Sequence, residues 1–336
     1  MTQMSDSGEG NPVTTIFHAG DGDRTALDGQ RIAVVGYGNQ GRSWALNFRD
    51  SGLDVTVCVR ADETRDRAEA EGFAAADVTT ADECDVICIL VPDDAIPLLG
   101  LRPRADACTV VASGYAPAFD RFRPDGDVVM VAPRMLGPDV RVCYEEGVGF
   151  ITAVGVHHDA TGRAQERMLA VADAIGGLQQ GAIEMALMQE AVLDLAVEQV
   201  LSPALTHVNT AFVQVMSEQG IPFEAIMTEL VLSGEVERTY GRLREEGFAG
   251  QMEHHSPTSQ YGQLSRRGEF DSLDVATEMR RLTDDIASGR FADEWDAERE
   301  AGHPKLAALK AEHCGDFIKD MEADLRTKLG PTATSS

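Results

Sequence analysis

Arg31-Ile-Ala-Val-Val-Gly36-Tyr-Gly-Asn-Gln-Gly41 is the stretch on which the fold turns. Residues 31–36 form a short run rich in β-branched side chains and ending in glycine, the pattern of a buried strand. Three glycines follow at G-x-G-x-x-G spacing, and residues 42–50 then read as a helix that Ser51-Gly52 breaks. The glycine spacing alone is a weak signal. A strand before it and a helix after it supply the context that makes it a dinucleotide loop. Gly36 permits the tight turn, Gly38 lets the backbone approach a pyrophosphate, and Gly41 lets helix and strand pack closely. The helix N-terminus then offers free N–H groups and partial positive charge to the phosphates. Gly36, Tyr37, Gly38, Asn39, Gln40 and Gly41 are therefore the candidate cofactor-binding residues.

Outward from this loop the same alternation continues. Residues 54–59, 85–91, 108–112, 127–132 and 150–156 read as strands, with Pro92 stopping the second of these, and residues 64–71 read as a helix. Strands apolar throughout and alternating with helices predict a parallel sheet covered on both faces. Beyond residue 159 little reads as strand. Periodic apolar segments at 183–200, 203–219, 223–232 and 279–287 predict helices instead. The expected fold class is α/β, an N-terminal Rossmann doubly wound parallel sheet followed by an all-helical C-terminal domain. The expected division is a NAD(P)-binding domain over residues 15–178 and a helical metal and substrate domain over 179–328. Residues 1–14 and 329–336 are expected to be disordered tails.

The end of the second strand bears on the choice of dinucleotide. Asp62 lies where an acid would bind a ribose 2′-hydroxyl, whereas Arg60, Thr64 and Arg65 are placed to hold a 2′-phosphate. The sequence leaves both readings open.

Charge excludes whole classes of partner. Acidic residues outnumber basic ones 56 to 29, for a net charge of −27 over 336 residues. Such a chain repels phosphate backbones and anionic lipid, so neither nucleic acid nor a membrane is an expected partner. The acids are dispersed rather than gathered in one tail, the pattern of a solvation strategy in a salty cytoplasm. No apolar run reaches the ~20 residues of a membrane span, and the N-terminal residues lack the basic and apolar regions of a signal peptide. A cytoplasmic protein is expected. The six cysteines form no C-x-x-C pair, and Cys58, Cys88 and Cys108 fall in apolar runs, so they read as small buried hydrophobes in a reducing compartment.

The chemistry-bearing pattern in the second half is Glu190-Ala-Val-Leu-Asp194-Leu-Ala-Val-Glu198. At four-residue spacing the three acids share one helix face. The residues between them are apolar, which predicts a largely buried helix whose acids need a cation or a metal. Carboxylate oxygens suit Mg²⁺, which takes one or two of them together with waters and substrate oxygens. An acid pair at this spacing is more often a solvated face, so the pattern alone does not decide the matter.

Several motifs fall in an order that resembles the ketol-acid reductoisomerase family. Gly36-Tyr-Gly-Asn-Gln-Gly41 is similar to its GYGSQG loop, Val91-Pro-Asp-Asp94 to its PDE segment, and Met130-Val-Ala-Pro-Arg-Met-Leu-Gly-Pro138 to its MVAPKGPG. Ile175-Gly-Gly-Leu-Gln-Gln-Gly-Ala-Ile-Glu184 resembles the glycine segment leading into its acid-rich helix. His255-Ser-Pro-Thr-Ser-Gln-Tyr-Gly262 resembles SDTAEYG, and Gly289-Arg-Phe-Ala-Asp-Glu-Trp295 the closing GxFAxEW. The likeness runs from about Ile16 to Leu309. It implies a Mg²⁺-dependent enzyme using NADP(H), with NAD(H) not excluded. In that chemistry an alkyl group migrates in a 2-hydroxy-3-keto acid of the acetolactate type, and hydride then reduces the product, as in branched-chain amino acid biosynthesis. By the resemblance, Asp194 bridges two Mg²⁺ ions, Glu198 binds one, and Glu229 is the first acid of a second pair. Ser256 holds the substrate carboxylate.

The chain departs from the family pattern at three positions. The HGF motif reads Ser113-Gly-Tyr115, which leaves Ser113 at the cofactor–substrate junction. Arg134 stands for the lysine of the APK motif and keeps its charge as a catalytic cation without being able to give up a proton. Ser233 stands where a further acid is expected. A reductase acting on a different keto acid, or a regulatory protein that binds a dinucleotide without turnover, remains a rival reading. A β-hydroxyacid dehydrogenase is disfavoured, since no lysine lies between Gly176 and Arg290. Homo-oligomers formed through the helical domain are expected from the family, and a small keto acid is the expected partner.

Overall fold

The computed structural model describes residues 14–329, so the expected tails lie outside the described residues except for Thr14 and Leu329. Among the described residues nine strands form one sheet: β1 (Ile16–Phe17), β2 (Ile32–Val35), β3 (Val55–Cys58), β4 (Ala74–Ala76), β5 (Val86–Ile89), β6 (Cys108–Val111), β7 (Asp127–Pro133), β8 (Thr152–His158) and β9 (Ala182–Glu184). Their order is β1-β9-β8-β7-β6-β5-β2-β3-β4. From β4 across to β7 all neighbours run parallel. The chain winds outward from β2 to β3 and β4, then returns to the other side of β2 with β5. That reversal opens a crevice at the carboxyl ends of β2 and β5, the place where open α/β sheets bind ligands.

The apolar strands are buried as their composition requires. Every residue of β2, β5 and β6 is buried. Helices α1 (Asn39–Asp50), α2 (Glu63–Ala70), α3 (Tyr115–Ala118), α4 (Gly137–Glu145) and α5 (Ala164–Ala174) accompany the sheet. Trp44 and Phe48 of α1 are fully buried and meet edge to face, with ring centroids 6.1 Å apart. Asp127 opens β7 inside the protein with no exposed surface. It accepts hydrogen bonds from the backbone N–H groups of Ala160 and Thr161, from the Thr161 hydroxyl and from the buried Arg167. Cys58, Cys84, Cys88 and Cys108 are buried free thiols. Burial pushes Cys58 and Cys108 up to about 12, which keeps them protonated and inert.

Two departures from the sequence expectation matter. The sheet is not wholly parallel, because β8 runs antiparallel to β7 and β1 antiparallel to β9. Residues 182–184 are strand rather than helix, since β9 pairs with both β8 and β1. The described chain divides into two compact units, the first ending at Asp194 and the second beginning at Leu195.

The first unit ends within the helix α6 (Leu187–Ala196). The second unit is built of helices: after a π turn at Val197–Leu201 come α7 (Ser202–Glu218), α8 (Phe223–Met227), α9 (Glu235–Met252), α10 (Pro257–Arg266), α11 (Val275–Ala287), α12 (Arg290–Glu300), α13 (Pro304–His313) and α14 (Asp316–Leu329). A second π turn spans Thr228–Leu232. Gly247 kinks α9 at φ 72°. Among the described residues no helix is long and apolar enough to cross a membrane.

Candidate active site

The crevice at the sheet's reversal is a cleft of about 430 Å³. Gly36, Tyr37 and Gly38 form one wall, Leu90, Val91 and Pro92 another, and Arg60, Asp62 and Thr64 stand at the end of β3. The loop has the geometry its glycines predict. Gly36 turns at φ 94°, and a Cβ on Gly41 would lie 2.2 Å from the Gly36 carbonyl oxygen. Gly38 faces open space, and α1 begins immediately after it, so Asn39, Gln40 and Gly41 form the helix's first turn. Free N–H groups there suit a pyrophosphate.

Tyr37 braces the loop from beneath. Its buried hydroxyl donates to Glu71 Oε2 at 2.5 Å, and Glu71 in turn accepts from Arg42 at 3.0 Å. Burial and the Glu71 carboxylate raise the phenol well above its ordinary value.

The 2′ end of the cleft is only partly as expected. Asp62 caps α2 by accepting from Thr64 N at 3.0 Å and lies 3.7 Å from the exposed Arg60. Arg65 does not line the cleft, because it is tied back to Asp77 at 2.6 Å and to the Val59 carbonyl at 2.9 Å. Ser113 does not line it either.

Ser113 belongs to a second cluster in the same unit. Its hydroxyl hydrogen-bonds the Asp93 carboxylate and accepts from Tyr115 N at 3.2 Å. Burial lifts Asp93 to about 6 against that hydrogen bond, with the charges of Glu190, Asp194 and Asp94 adding to the rise. Arg134, just past β7, bonds Glu190 Oε1 at 2.6 Å through Nη1 and Asp194 Oδ1 at 2.7 Å through Nη2. Glu190 is 2% exposed, and its Oε2 accepts from Gly114 N at 2.7 Å. Burial raises its pKa, opposed by the Gly114 and Arg134 bonds. The expected sharing of one face by Glu190 and Asp194 is thus met by a single guanidinium. The helix is less buried than its composition predicts, since Leu193 is 53% exposed.

The remaining predicted residues lie in the second unit. Glu198 is exposed in the first π turn and Glu229 in the second. Ser256 caps α10, accepting from Ser259 N at 3.3 Å with its hydroxyl proton left to donate. His254 bonds Glu246 at 2.7 Å, a local surface pair. Among the described residues no three of His, Cys, Asp and Glu gather into a metal cluster. Mg²⁺ does not require one. Asp194 is half exposed and its Oδ2 accepts no hydrogen bond among the described residues, which fits an ion that takes one or two carboxylates and completes its shell with water and substrate.

Comparison with known proteins places this geometry. Residues 26–181 match the family model described as acetohydroxy acid isomeroreductase, NADPH-binding domain, and residues 187–330 match that of the ketol-acid reductoisomerase C-terminal domain. The chain belongs to the ketol-acid reductoisomerase family. It is an NAD(P)-dependent oxidoreductase. A ketol-acid reductoisomerase (NADP(+)) of Caldivirga maquilingensis is 36% identical over 323 residues, covering 94% of this chain and 98% of that one. A ketol-acid reductoisomerase (NAD(P)(+)) of Metallosphaera sedula is 34% identical over 305 residues, covering 88% and 90%. The solved structure of an NADH-preferring ketol-acid reductoisomerase from an uncultured archean superposes with a TM-score of 0.84 at 29% identity, covering 93% and 98%.

Within this reductoisomerase fold, sequence reasoning missed Asp93 as a partner of Ser113 and Glu190 as the anchor of Arg134. The signal for Glu190 was present in its spacing from Asp194. For Asp93 the signal was the Val91-Pro-Asp-Asp94 likeness, which does not say what the side chain meets. Gly114 was invisible: a Cβ there would lie 2.3 Å from the Leu187 carbonyl oxygen, so only glycine lets α6 approach closely enough for the Gly114–Glu190 bond.

Proposed function

We propose that the chain is a Mg²⁺-dependent NAD(P)H ketol-acid reductoisomerase, converting a 2-hydroxy-3-keto acid of the acetolactate type into a 2,3-dihydroxy acid. The reaction is the one used in branched-chain amino acid biosynthesis, and the proposed setting is the cytoplasm. The reading is carried by the family match across both halves of the chain, together with an acid cluster whose Asp194 keeps an oxygen for an ion. Asp194 and Glu198 are the proposed Mg²⁺ ligands, with Glu229 as a further one. When bound, Mg²⁺ supplies Lewis acidity toward substrate oxygens and the nicotinamide supplies hydride.

The chain's own residues do the rest. The glycine loop and the first turn of α1 hold the pyrophosphate. Arg134 fixes the carboxylates' direction and offsets their charge; as a guanidinium it stays protonated and moves no proton. Ser256 donates its hydroxyl proton to the substrate carboxylate. NADP(H) is the proposed cofactor, with the exposed Arg60 facing a 2′-phosphate. NAD(H) is the second candidate, because Asp62 offers an acceptor to a 2′-hydroxyl. A homo-oligomer through the helical unit is also proposed. Leu205, Val208, Phe212 and Val215 recur along α7 at alternating spacings of three and four and are all exposed, the seam of a helix that packs against another.

The test is oxidation of NADPH and NADH with 2-acetolactate, beside 3-hydroxy-3-methyl-2-ketobutyrate, each with and without Mg²⁺ in high salt. Acetolactate turnover is expected to need Mg²⁺ and to fall on the order of 10²–10³-fold in Asp194→Asn. Reduction of the keto acid alone would restrict the enzyme to the reductase step. Turnover of neither would reject the acetolactate reading.

A further inference from the structure

The cation of the acid cluster is held asymmetrically. Arg134 is fixed at its backbone, where its N–H donates to the Ile151 carbonyl at 2.9 Å. Its guanidinium then spreads over two carboxylates, Glu190 Oε1 at 2.6 Å and Asp194 Oδ1 at 2.7 Å. The Glu190 arm is locked. That side chain is 2% exposed, its second oxygen is taken by Gly114 N, and Gly114 lies against the backbone of α6. The Asp194 arm is open: the side chain is 46% exposed, and no described residue bonds Oδ2. The chain has no lysine before Lys305, so arginine at 134 is unremarkable as a choice of cation. Its consequence is not. A guanidinium reaches two carboxylates through separate nitrogens held in one plane, whereas an ammonium is a single point charge on a flexible stem.

We infer that Arg134 is a built-in counter-cation that competes with the divalent ion for Asp194. It pins Asp194 through Oδ1, leaves Oδ2 alone to the ion, and must release Oδ1 before Asp194 can offer both oxygens. Because the Glu190 arm is locked, release takes place at Asp194 and leaves Arg134 in position. The fork keeps the acids ordered and partly neutralised without a metal, at the cost of a weakened ion. Substrate oxygens then make up the deficit, so ion and substrate bind with mutual reinforcement. The inference rests on the Mg²⁺ reading above and deepens it.

Mn²⁺ titration of the full chain, following free Mn²⁺ by its electron paramagnetic resonance signal without cofactor or substrate, tests this. Arg134→Lys keeps the charge and gives up the fork, and is expected to bind Mn²⁺ about fivefold more tightly than the wild type, as loss of one competing pair at a half-exposed carboxylate implies. Arg134→Gln removes the charge as well and is expected to bind more tightly still. Circular dichroism and NADPH binding report whether each variant is folded. Equal or weaker Mn²⁺ affinity in both folded variants, with binding lost in Asp194→Asn, would overturn the competition and leave the Mg²⁺ reading standing. Absence of Mn²⁺ binding in the wild type and both variants would overturn the two together.

Discussion

Every residue of β2, β5 and β6 is buried, whereas α7, seventeen residues long and carrying Leu205, Val208, Phe212 and Val215, buries none. The first unit is organised around a buried sheet. Its strands are covered, and its buried acids Asp127 and Glu190 each meet an arginine and a backbone N–H. The second unit leaves the apolar stripe of α7 exposed, and many of its ion pairs are surface pairs such as Arg281 with Glu278 and Asp285. A large exposed apolar surface marks an interaction site in a folded protein. The difference teaches that the sheet unit gathers its apolar side chains into a core, while α7 of the helical unit leaves its apolar stripe exposed, which is the observation behind the proposed homo-oligomer.

Three changes probe that contrast. The largest effect is expected at Asp127. Asp127→Ala strands Arg167 and two backbone N–H groups in the interior and should cost about 3–5 kcal/mol in urea unfolding. Arg281→Ala in the second unit, whose side chain is 58% exposed, should leave the unfolding midpoint unchanged. Comparable losses in the two variants would erase the distinction between the units.

Next comes assembly. Val208→Asp with Phe212→Asp places two charges on the α7 seam and should lower the mass seen by light scattering to that of one chain. It should also remove the concentration dependence of the melting temperature. An unchanged mass would mean that the seam is covered in some other way.

The smallest effect is expected at Asp93, in the first unit. Burial raises its folded pKa from 3.8 to about 6, so the folded state binds the proton more tightly than the unfolded state does. Its contribution is favourable below 3.8 and is lost as pH rises through 6. In metal-free protein, Asp93→Asn should therefore melt higher than the wild type at pH 7, by about 2–4 °C, and the gap should close as pH falls toward 4. A gap that does not change with pH would mean that Asp93 titrates normally.

Much of this was legible beforehand. The glycine loop declared itself because a phosphate-binding turn needs glycine at fixed positions next to a strand and a helix, all within eleven residues. The central strands declared themselves through unbroken apolar runs. The three-residue strand β9 did not, because Ala182-Ile-Glu184 has no strand signal of its own and is held in the sheet by β8 and β1. Asp194 was found from its spacing and from resemblance, whereas the exposure of Leu193 beside it was not foreseen, since an apolar residue carries no label for what will cover it.

The sequence by itself determined the dinucleotide loop, the change from sheet to helix and the identity of the acids, since each depends on local backbone chemistry or on periodicity. Only the tertiary structure decided which oxygen of which acid Arg134 holds, that Gly114 must be glycine, and that Asp93 meets Ser113. Those facts depend on distances between segments up to 76 residues apart in the chain, which packing alone sets.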